Sequence, residues 1–513
     1  MASLAVREFL PPIFMGLLTV LSALIVGRIF CGYICPMGIT LDIFQRIVRF
    51  LGGGGKECLP SGWRRIKYLF FLFILISALL GVNLTFWGSP LSLITRFYGL
   101  LIHPLLLMSG RLLLDLGYPV FPALGWEQLN YLSVPVRHFD AIYFILGVFA
   151  VLFILEMKQP RFWCRYLCPA GALLALFSHR PRWRRKVIQC RHCGRCARQC
   201  PAGAIAAGGA RTVFSECLVC RSCADVCPVQ GIKFSFIRKD EVPLSPAASQ
   251  SQDEAVNALN FLLSRRVFLG VAGSGIMLAG VQYSGVDSLL ASQGPGSIWS
   301  PALIRPPGSV PEGSFLNLCI RCGECMKACP TNGLQPAWLT AGAEGIFSPI
   351  LRSRRGYCDP DCHVCGLVCP TRAISRLSLE EKQWAKIGTA VVEQKRCLAW
   401  FEGKNCVVCQ EVCPYGAVTV QVMREAGAPV PVVNPSRCFG CGLCEYHCPT
   451  RLPSIVVEPL NALRLREGNY KKTAQNMGLY LQPGALDEKG GGIYSFPGNG
   501  GEAEENLPPG FMP

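Results

Sequence analysis

Three long apolar runs mark the first third of the chain, at residues 11–30, 66–87 and 139–157, each close to the roughly 20 residues that a helix needs to cross a bilayer. They predict three spanning helices. A further apolar stretch, 91–117, is interrupted by Arg96, His103, Pro104 and Arg111. Basic residues follow the first run (Arg46, Arg49, Lys56, Arg64, Arg65, Lys67) and the third (Arg180, Arg182, Arg184, Arg185, Lys186). Such flanks face the cytoplasm, so an even number of crossings separates them. On that count 91–117 reads as a re-entrant or interfacial segment and not as a fourth span.

Beyond residue 180 the apolar pattern breaks into short pieces. Ala204-Ile205, Gly231-Ile232, Ala373-Ile374 and Ala417-Val418 each follow a Cys-Pro step and predict short strands. Residues 235–263 turn polar, and Ser264-Arg265-Arg266-Val267-Phe268-Leu269-Gly270 then opens another apolar run to about Val281. That pattern is read as a twin-arginine export signal inside the chain, with a plain membrane anchor as the alternative. Residues 290–312 read as a Pro/Gly/Ser-rich linker, and the chain after 460 as an extended or disordered tail. The expected domains are therefore a helical membrane part (1–180), a small module (181–240), a linker with the signal helix (241–312), a larger module (313–460) and the tail (461–513).

Composition agrees with partial burial in lipid. The chain has 513 residues, 51% of them hydrophobic, with mean hydropathy +0.34. Its net charge of +17 suits anionic headgroups or an acidic partner, and nothing assigns it to nucleic acid. The 29 cysteines change the picture most, because 24 fall into six groups of four, each ending in Cys-Pro. Disulfide frameworks do not repeat in this way, whereas thiolate-ligated [4Fe–4S] clusters do.

The first two groups are Cys190, Cys193, Cys196, Cys200 and Cys217, Cys220, Cys223, Cys227. In such a pair the fourth cysteine of each motif serves the other cluster. Cys190, Cys193, Cys196 and Cys227 are thus expected to hold one cluster, and Cys217, Cys220, Cys223 and Cys200 the second. A zinc ribbon is the bland alternative, but it rarely adds a third cysteine and a Cys-Pro. The other four groups are Cys319, Cys322, Cys325, Cys329; Cys358, Cys362, Cys365, Cys369; Cys397, Cys406, Cys409, Cys413; and Cys438, Cys441, Cys444, Cys448. The outer two are regular and the inner two stretched, a symmetry that suggests nested pairs. Cys448 would then complete Cys319, Cys322 and Cys325, and Cys369 would complete Cys397, Cys406 and Cys409. Sequential pairing is the alternative, with the same thiolates as ligands.

Two further pairs, Cys31/Cys35 and Cys164/Cys168, repeat a C-x3-C-P step where spans meet the cytoplasm. They suit a metal or cluster, or a dithiol–disulfide couple, and packing of small residues is the plain alternative. Cys58 matches no motif. His103 and His138 read as polar tips and not as haem ligands. No catalytic residue is assigned, since there is no nucleotide fingerprint and no pterin or flavin signature.

Residues 1–235, with both C-x3-C-P steps and the first pair of cysteine motifs, resemble the NapH-type membrane protein, akin to the membrane region of NosR. Residues 264–450, from Ser264-Arg265-Arg266-Val267-Phe268-Leu269 to Cys397-Leu398-Ala399-Trp400-Phe401 and Cys406-Val407-Val408-Cys409, resemble the NapG/MauM-type ferredoxins. The resemblance implies a fusion of the two, beginning one helix later than is usual, of mixed fold: an α-helical membrane domain plus α+β ferredoxin-like modules. It also implies an inner-membrane electron-transfer component, even a quinol dehydrogenase subunit. Six [4Fe–4S] clusters would link quinone or quinol to a reductase or cytochrome partner, with 181–240 cytoplasmic and 300–460 periplasmic. An iron–sulfur redox sensor or a reductase-maturation factor is the alternative function.

Overall fold

The computed structural model describes residues 12–52, 61–118, 121–122, 125–132, 134–179, 181–236, 264–283, 303–338, 340–342, 344–422 and 428–481. Cys58, the polar stretch 237–263, the linker 284–302 and the tail from 482 lie outside the described residues.

The apolar runs form helices: α1 (Pro12–Val26), α2 (Pro36–Phe50), α3 (Arg65–Leu79), α4 (Pro90–Gly117), α5 (Ile142–Lys158) and α6 (Pro169–Phe177). The three runs expected to span give α1, α3 and α5, of 15, 15 and 17 residues. The stretch expected to be re-entrant or interfacial lies in one helix of 28 residues, the one described helix both long and apolar enough, by length and composition, to cross a membrane. One of its two interrupting charges, Arg96, is absorbed inside, while Arg111 is exposed. Arg96 is buried, donates to the carbonyls of Ser92 and Phe86, and lies 4.7 Å from the Phe347 ring centre. A π-helical turn at Phe97–Ile102 then leads into His103 and Pro104 without a break, as such bulges do when a ladder amide is missing. His103 sits beside Arg137 and Lys327.

Two cysteine-rich lobes flank the helices. In the first, β1 (Trp183–Val187) pairs antiparallel with β2 (Ile232–Phe236). After α7 (Arg265–Tyr283) the second lobe carries three more antiparallel pairs: β3 (Leu334–Pro336) with β4 (Pro349–Leu351), β5 (Thr389–Val392) with β8 (Ile455–Glu458), and β6 (Val418–Val422) with β7 (Pro429–Val433). The apolar pairs behind the Cys-Pro steps behave as expected. Ile232 and Val418 open strands, while Ile205 and Ile374 form bridges to Thr212 and Ser309. All four are buried.

Both ends of the second lobe correct the sequence reading. Residues 303–312 are not linker: Ile304 and Val310 are buried, and Arg305 pairs with Glu312 at 2.5 Å. Residues 461–481 are not an extended tail. They include α8 (Tyr470–Asn476), capped by the Asn469 side chain, with Tyr470, Ala474 and Leu479 in the core. A helix spacing hidden in a glycine- and charge-rich stretch carries Tyr470 and Ala474 inward, and Leu479 follows just past the helix end.

The lobes meet opposite ends of α3. At its start, Lys67 and Arg28 both pair with Glu216 of the first lobe, at 2.5 and 2.9 Å. Just past its end, Asn83 donates to the Asn317 carbonyl of the second lobe, and Arg321 donates to the Asn83 carbonyl while stacking 4.2 Å over Phe86. Asp140, ahead of α5, takes Arg352 and Arg355 on the same side. The apolar core runs unbroken from Met37 in α2 to Phe315 and Tyr470 in the second lobe.

Candidate metal centres

The regular motifs share one local device. The residue before the second cysteine is left-handed in each: His192, Val219, Arg321 and Gly440, with φ of 53°, 57°, 50° and 76°. That turn aims its amide at the first sulfur, as His192 N–H does toward Cys190 Sγ at 3.4 Å, and the equivalent amides do at Cys217, Cys319 and Cys438. A β-branched residue such as Val219 rarely adopts this conformation, and strain of this kind, about 1–3 kcal/mol, gathers at functional sites. The stretched motifs need no such turn. In them the added residues form an Asp359 turn, or the short helix Leu398–Glu402 held by Trp400 donating to the Pro431 carbonyl.

Five small hollows are each lined by four cysteines. Two are the expected sets of the first lobe: Cys190, Cys193, Cys196 and Cys227, then Cys200, Cys217, Cys220 and Cys223. The others are Cys358, Cys362, Cys365 and Cys329; Cys438, Cys441, Cys444 and Cys413; and Cys397, Cys406, Cys409 and Cys448. The sixth set follows from charge proximity, with Cys325 beside Cys319, Cys322 and Cys369.

The nested pairing is therefore wrong. Cys448 does not complete the Cys319 motif, nor Cys369 the Cys397 motif; pairing is sequential in both halves of the second lobe. The extra residues of the stretched motifs are absorbed in their own loops, so a stretched motif needs no stretched partner.

The donor chemistry fits iron–sulfur clusters. Burial pushes the Cys217 and Cys322 thiols up to about 12, so their thiolates need a bound cation in place of the proton. Among the described residues no three His, Cys, Asp or Glu side chains converge tightly enough for a lone metal ion. Thiolates around a four-iron cube stand further apart. Amides at Ala204, Ala417 and Ala390 donate to Cys200, Cys413 and Cys438, each at 3.3 Å.

Neighbouring sets can be identified from their sulfurs. Cys223 lies within electrostatic reach of Cys196, Cys325 of Cys365, Cys441 of Cys358, and Cys444 of Cys409. The second lobe thus orders its sets from Cys325, near the helices, to Cys448. Buried Tyr415 stands between Cys358 and Cys441, and burial pushes its hydroxyl well up.

Cys448 is singular among these sulfurs. Burial raises its pKa, but Ser454 and Thr450 outweigh that and hold it below the usual thiol range. Their hydroxyls lie 3.3 and 3.1 Å from Sγ, and Ser454 N–H donates at 3.4 Å. Hydrogen bonds to cluster sulfurs favour the more negative, reduced state. Replacing Thr450 and Ser454 together by Val and Ala should lower the midpoint of this set by about 60 mV, one tenfold step for one electron. An EPR-monitored redox titration reads this, and an unmoved midpoint contradicts it.

The sequence reading missed Thr450, Ser454, Glu216 and Arg28. Position was the available signal: Glu216 directly precedes Cys217, and Thr450 follows Cys448-Pro449.

Comparison with known proteins agrees with this geometry. Residues 9–53 and 141–188 match a 4Fe-4S binding domain, residues 315–335 another, and residues 403–452 a 4Fe-4S dicluster domain. That last match holds Cys406 to Cys448 in one unit, as sequential pairing requires. The chain is 35% identical over 176 residues to the ferredoxin-type protein NapG of Escherichia coli K12, covering 33% of this chain and 75% of NapG. It is 34% identical over 192 residues to the methylamine utilization ferredoxin-type protein MauM of Methylorubrum extorquens, covering 36% and 86%. It is 28% identical over 278 residues to YccM of E. coli K12, provisionally named an electron transport protein, covering 53% and 66%. The chain belongs to the NapG/MauM family of ferredoxin-type [4Fe–4S] electron-transfer proteins.

Proposed function

We propose that the chain is a multi-pass, membrane-embedded relay that carries electrons between the quinone pool and a redox partner through six [4Fe–4S] clusters. In this reading the part before residue 236 is a NapH- or NosR-like membrane protein fused to the ferredoxin that follows. The observation that carries it is the seating of the two cysteine lobes at opposite ends of α3, with Glu216 at one end and Arg321 at the other.

Exposed apolar side chains support a lipid setting. Phe14, Leu17, Leu21 and Ile25 on α1, Leu105, Leu112 and Leu116 on α4, and Val151 and Ile154 on α5 face outward. Apolar surface on this scale calls for a covering. On the outer face of α2, Ile39, Ile43, Ile47 and Phe50 follow helical spacing beside Arg46 and Arg49, as in a helix lying at a headgroup layer. The arginine-led helix α7 lies along α3, where a Cβ on Gly275 would stand 3.0 Å from Ile76. Both helices begin with basic residues. An export signal at Ser264-Arg265-Arg266 would thus deliver the second lobe, already loaded, to the far side.

Two measurements test this. Reporter fusions after residues 60, 235 and 460 should read cytoplasmic, cytoplasmic and periplasmic, and a cytoplasmic signal at the last site contradicts it. A quinol analogue added to the anaerobic, oxidised protein should reduce its clusters. Clusters that ignore quinol, or that break down on oxidation and alter partner binding, favour the sensor reading.

A further inference from the structure

The first lobe buries an arginine where its sheet calls for an apolar side chain. Strand β1 has one buried position, its middle one, and Arg185 fills it, with half-buried Arg184 and Lys186 on the other face. The partners of Arg185 are all uncharged. Its Nη1 donates to Thr212 Oγ1 at 2.6 Å, and its Nη2 donates to the Gly209 carbonyl at 2.8 Å and stands 3.7 Å from Cys196 Sγ. Its Nε–H is buried as well and meets no acceptor among the described residues. A guanidinium keeps its proton in a protein, so Arg185 is a buried cation that lacks a carboxylate partner among the described residues and has a donor to spare.

Two hollows meet at this side chain. One is lined by Cys190, Cys193, Cys196 and Cys227 and the other by Cys200, Cys217, Cys220 and Cys223, and Arg185 is the one residue that lines both. The loop that holds it is itself fixed. Thr212 is bridged to Ile205, and a Cβ on left-handed Gly209 would stand 3.0 Å from Cys196 Sγ, so the carbonyl that accepts from Arg185 belongs to a turn closed over that sulfur. The Cys397 and Cys438 sets of the second lobe share no such residue. There Val392, likewise five residues before the first cysteine of its motif, lines the Cys397 hollow and not the Cys438 one.

A pair of anions is what this setting fits. A [4Fe–4S] core held by four thiolates is negative in both of its states and gains one further negative charge on reduction. A cation fixed between two such cores offsets the burial of both and favours the reduced form of each. We propose that Arg185 is the shared counter-charge of the two first-lobe clusters and holds both reduction potentials up together. It is a positioning residue and not a ligand: each cluster takes and gives one electron, and no bond forms or breaks. The proposal takes from the relay reading only that these two sets hold clusters, and it is independent of quinone and of topology.

The test is an EPR-monitored redox titration of the full chain, purified anaerobically and reduced with dithionite, with the two first-lobe components assigned by their loss in Cys227→Ala and Cys200→Ala. Arg185→Gln should keep the iron and lower both midpoints by about tenfold in the reduction equilibrium, 59 mV for one electron, while the second-lobe components stay in place. Arg185→Lys keeps the charge but not the three contacts, and should recover most of the shift. A residue that served only to staple the loop would fail equally as Lys and as Gln. Midpoints unmoved in Arg185→Gln, a shift in one component alone, or equal shifts in the Gln and Lys variants overturn the proposal, as do wild-type first-lobe sets without iron. Should Arg185→Gln lose its iron, Thr212→Val decides in its place, since it frees the guanidinium without removing it: both midpoints should fall, by less, and no fall overturns the proposal. Quinol that fails to reduce a protein showing these shifts removes the relay reading and leaves the role of Arg185 standing.

Discussion

Cys369→Ala is expected to empty the set built on Cys319, Cys322 and Cys325 while sparing those built on Cys358 and Cys397. Cys369 ends the second motif of its pair, yet its sulfur lies among those of the first, beside Cys325 and Cys322. Its own motif is completed by Cys329. The loss should be about four irons of about 24 in the six sets, seen as one missing EPR component in the reduced protein. Because this set stands nearest the helices, the second lobe should also stop accepting electrons from quinol, although its remaining clusters still reduce with dithionite. Under nested pairing the same change would strike the Cys397 set instead, so resolving which component disappears decides between the two.

Glu216→Gln should loosen the first lobe from the helices at a cost of about 3–5 kcal/mol, the usual penalty for leaving buried cations without their partner. Lys67 and Arg28 are buried to within 2% of full enclosure and share this carboxylate. Burial alone would raise its pKa, but Lys67 and Arg28 outweigh that and hold it below the ordinary 4.5. The sign follows from linkage: with the folded value depressed, the contribution is complete above the unfolded pKa and is lost as pH falls through the folded one. Denaturant midpoints at neutral pH should therefore separate wild type from variant clearly, and the gap should close in acid. Equal midpoints at neutral pH contradict the account. Glu216→Asp keeps the charge and should recover part of the loss.

Much of this was legible in the cysteines. Spacing alone marked the six groups of four cysteines that the fold gathers into sets, because a sulfur-bound cube imposes a strict local pattern, and the apolar pairs after four of the Cys-Pro steps marked two strands and two bridges. What spacing did not carry was the pairing in the second lobe. An Asp359 turn and the Leu398–Glu402 helix absorb the added residues locally, so likeness of spacing said nothing about neighbours. Hydropathy placed α1, α3 and α5 as helices but did not show that 91–117 lies within one long helix. A window average counts Arg96 as polar wherever it points, and here it points inward to the Ser92 and Phe86 carbonyls. The folded segments 303–312 and 461–481 were hidden for the related reason that their composition is that of loops, while their few apolar side chains are the ones buried.

The central claim is that this chain holds a line of iron–sulfur centres running from one lobe, past the helices, to the other. The most direct test is EPR of the anaerobically purified full chain during stepwise reduction, alongside iron and sulfide analysis. The account predicts at least about 24 irons with matching sulfide, and reduced spectra broadened by magnetic coupling between adjacent clusters. A colourless protein, zinc in place of iron, or fully reduced clusters that show no coupling would contradict it.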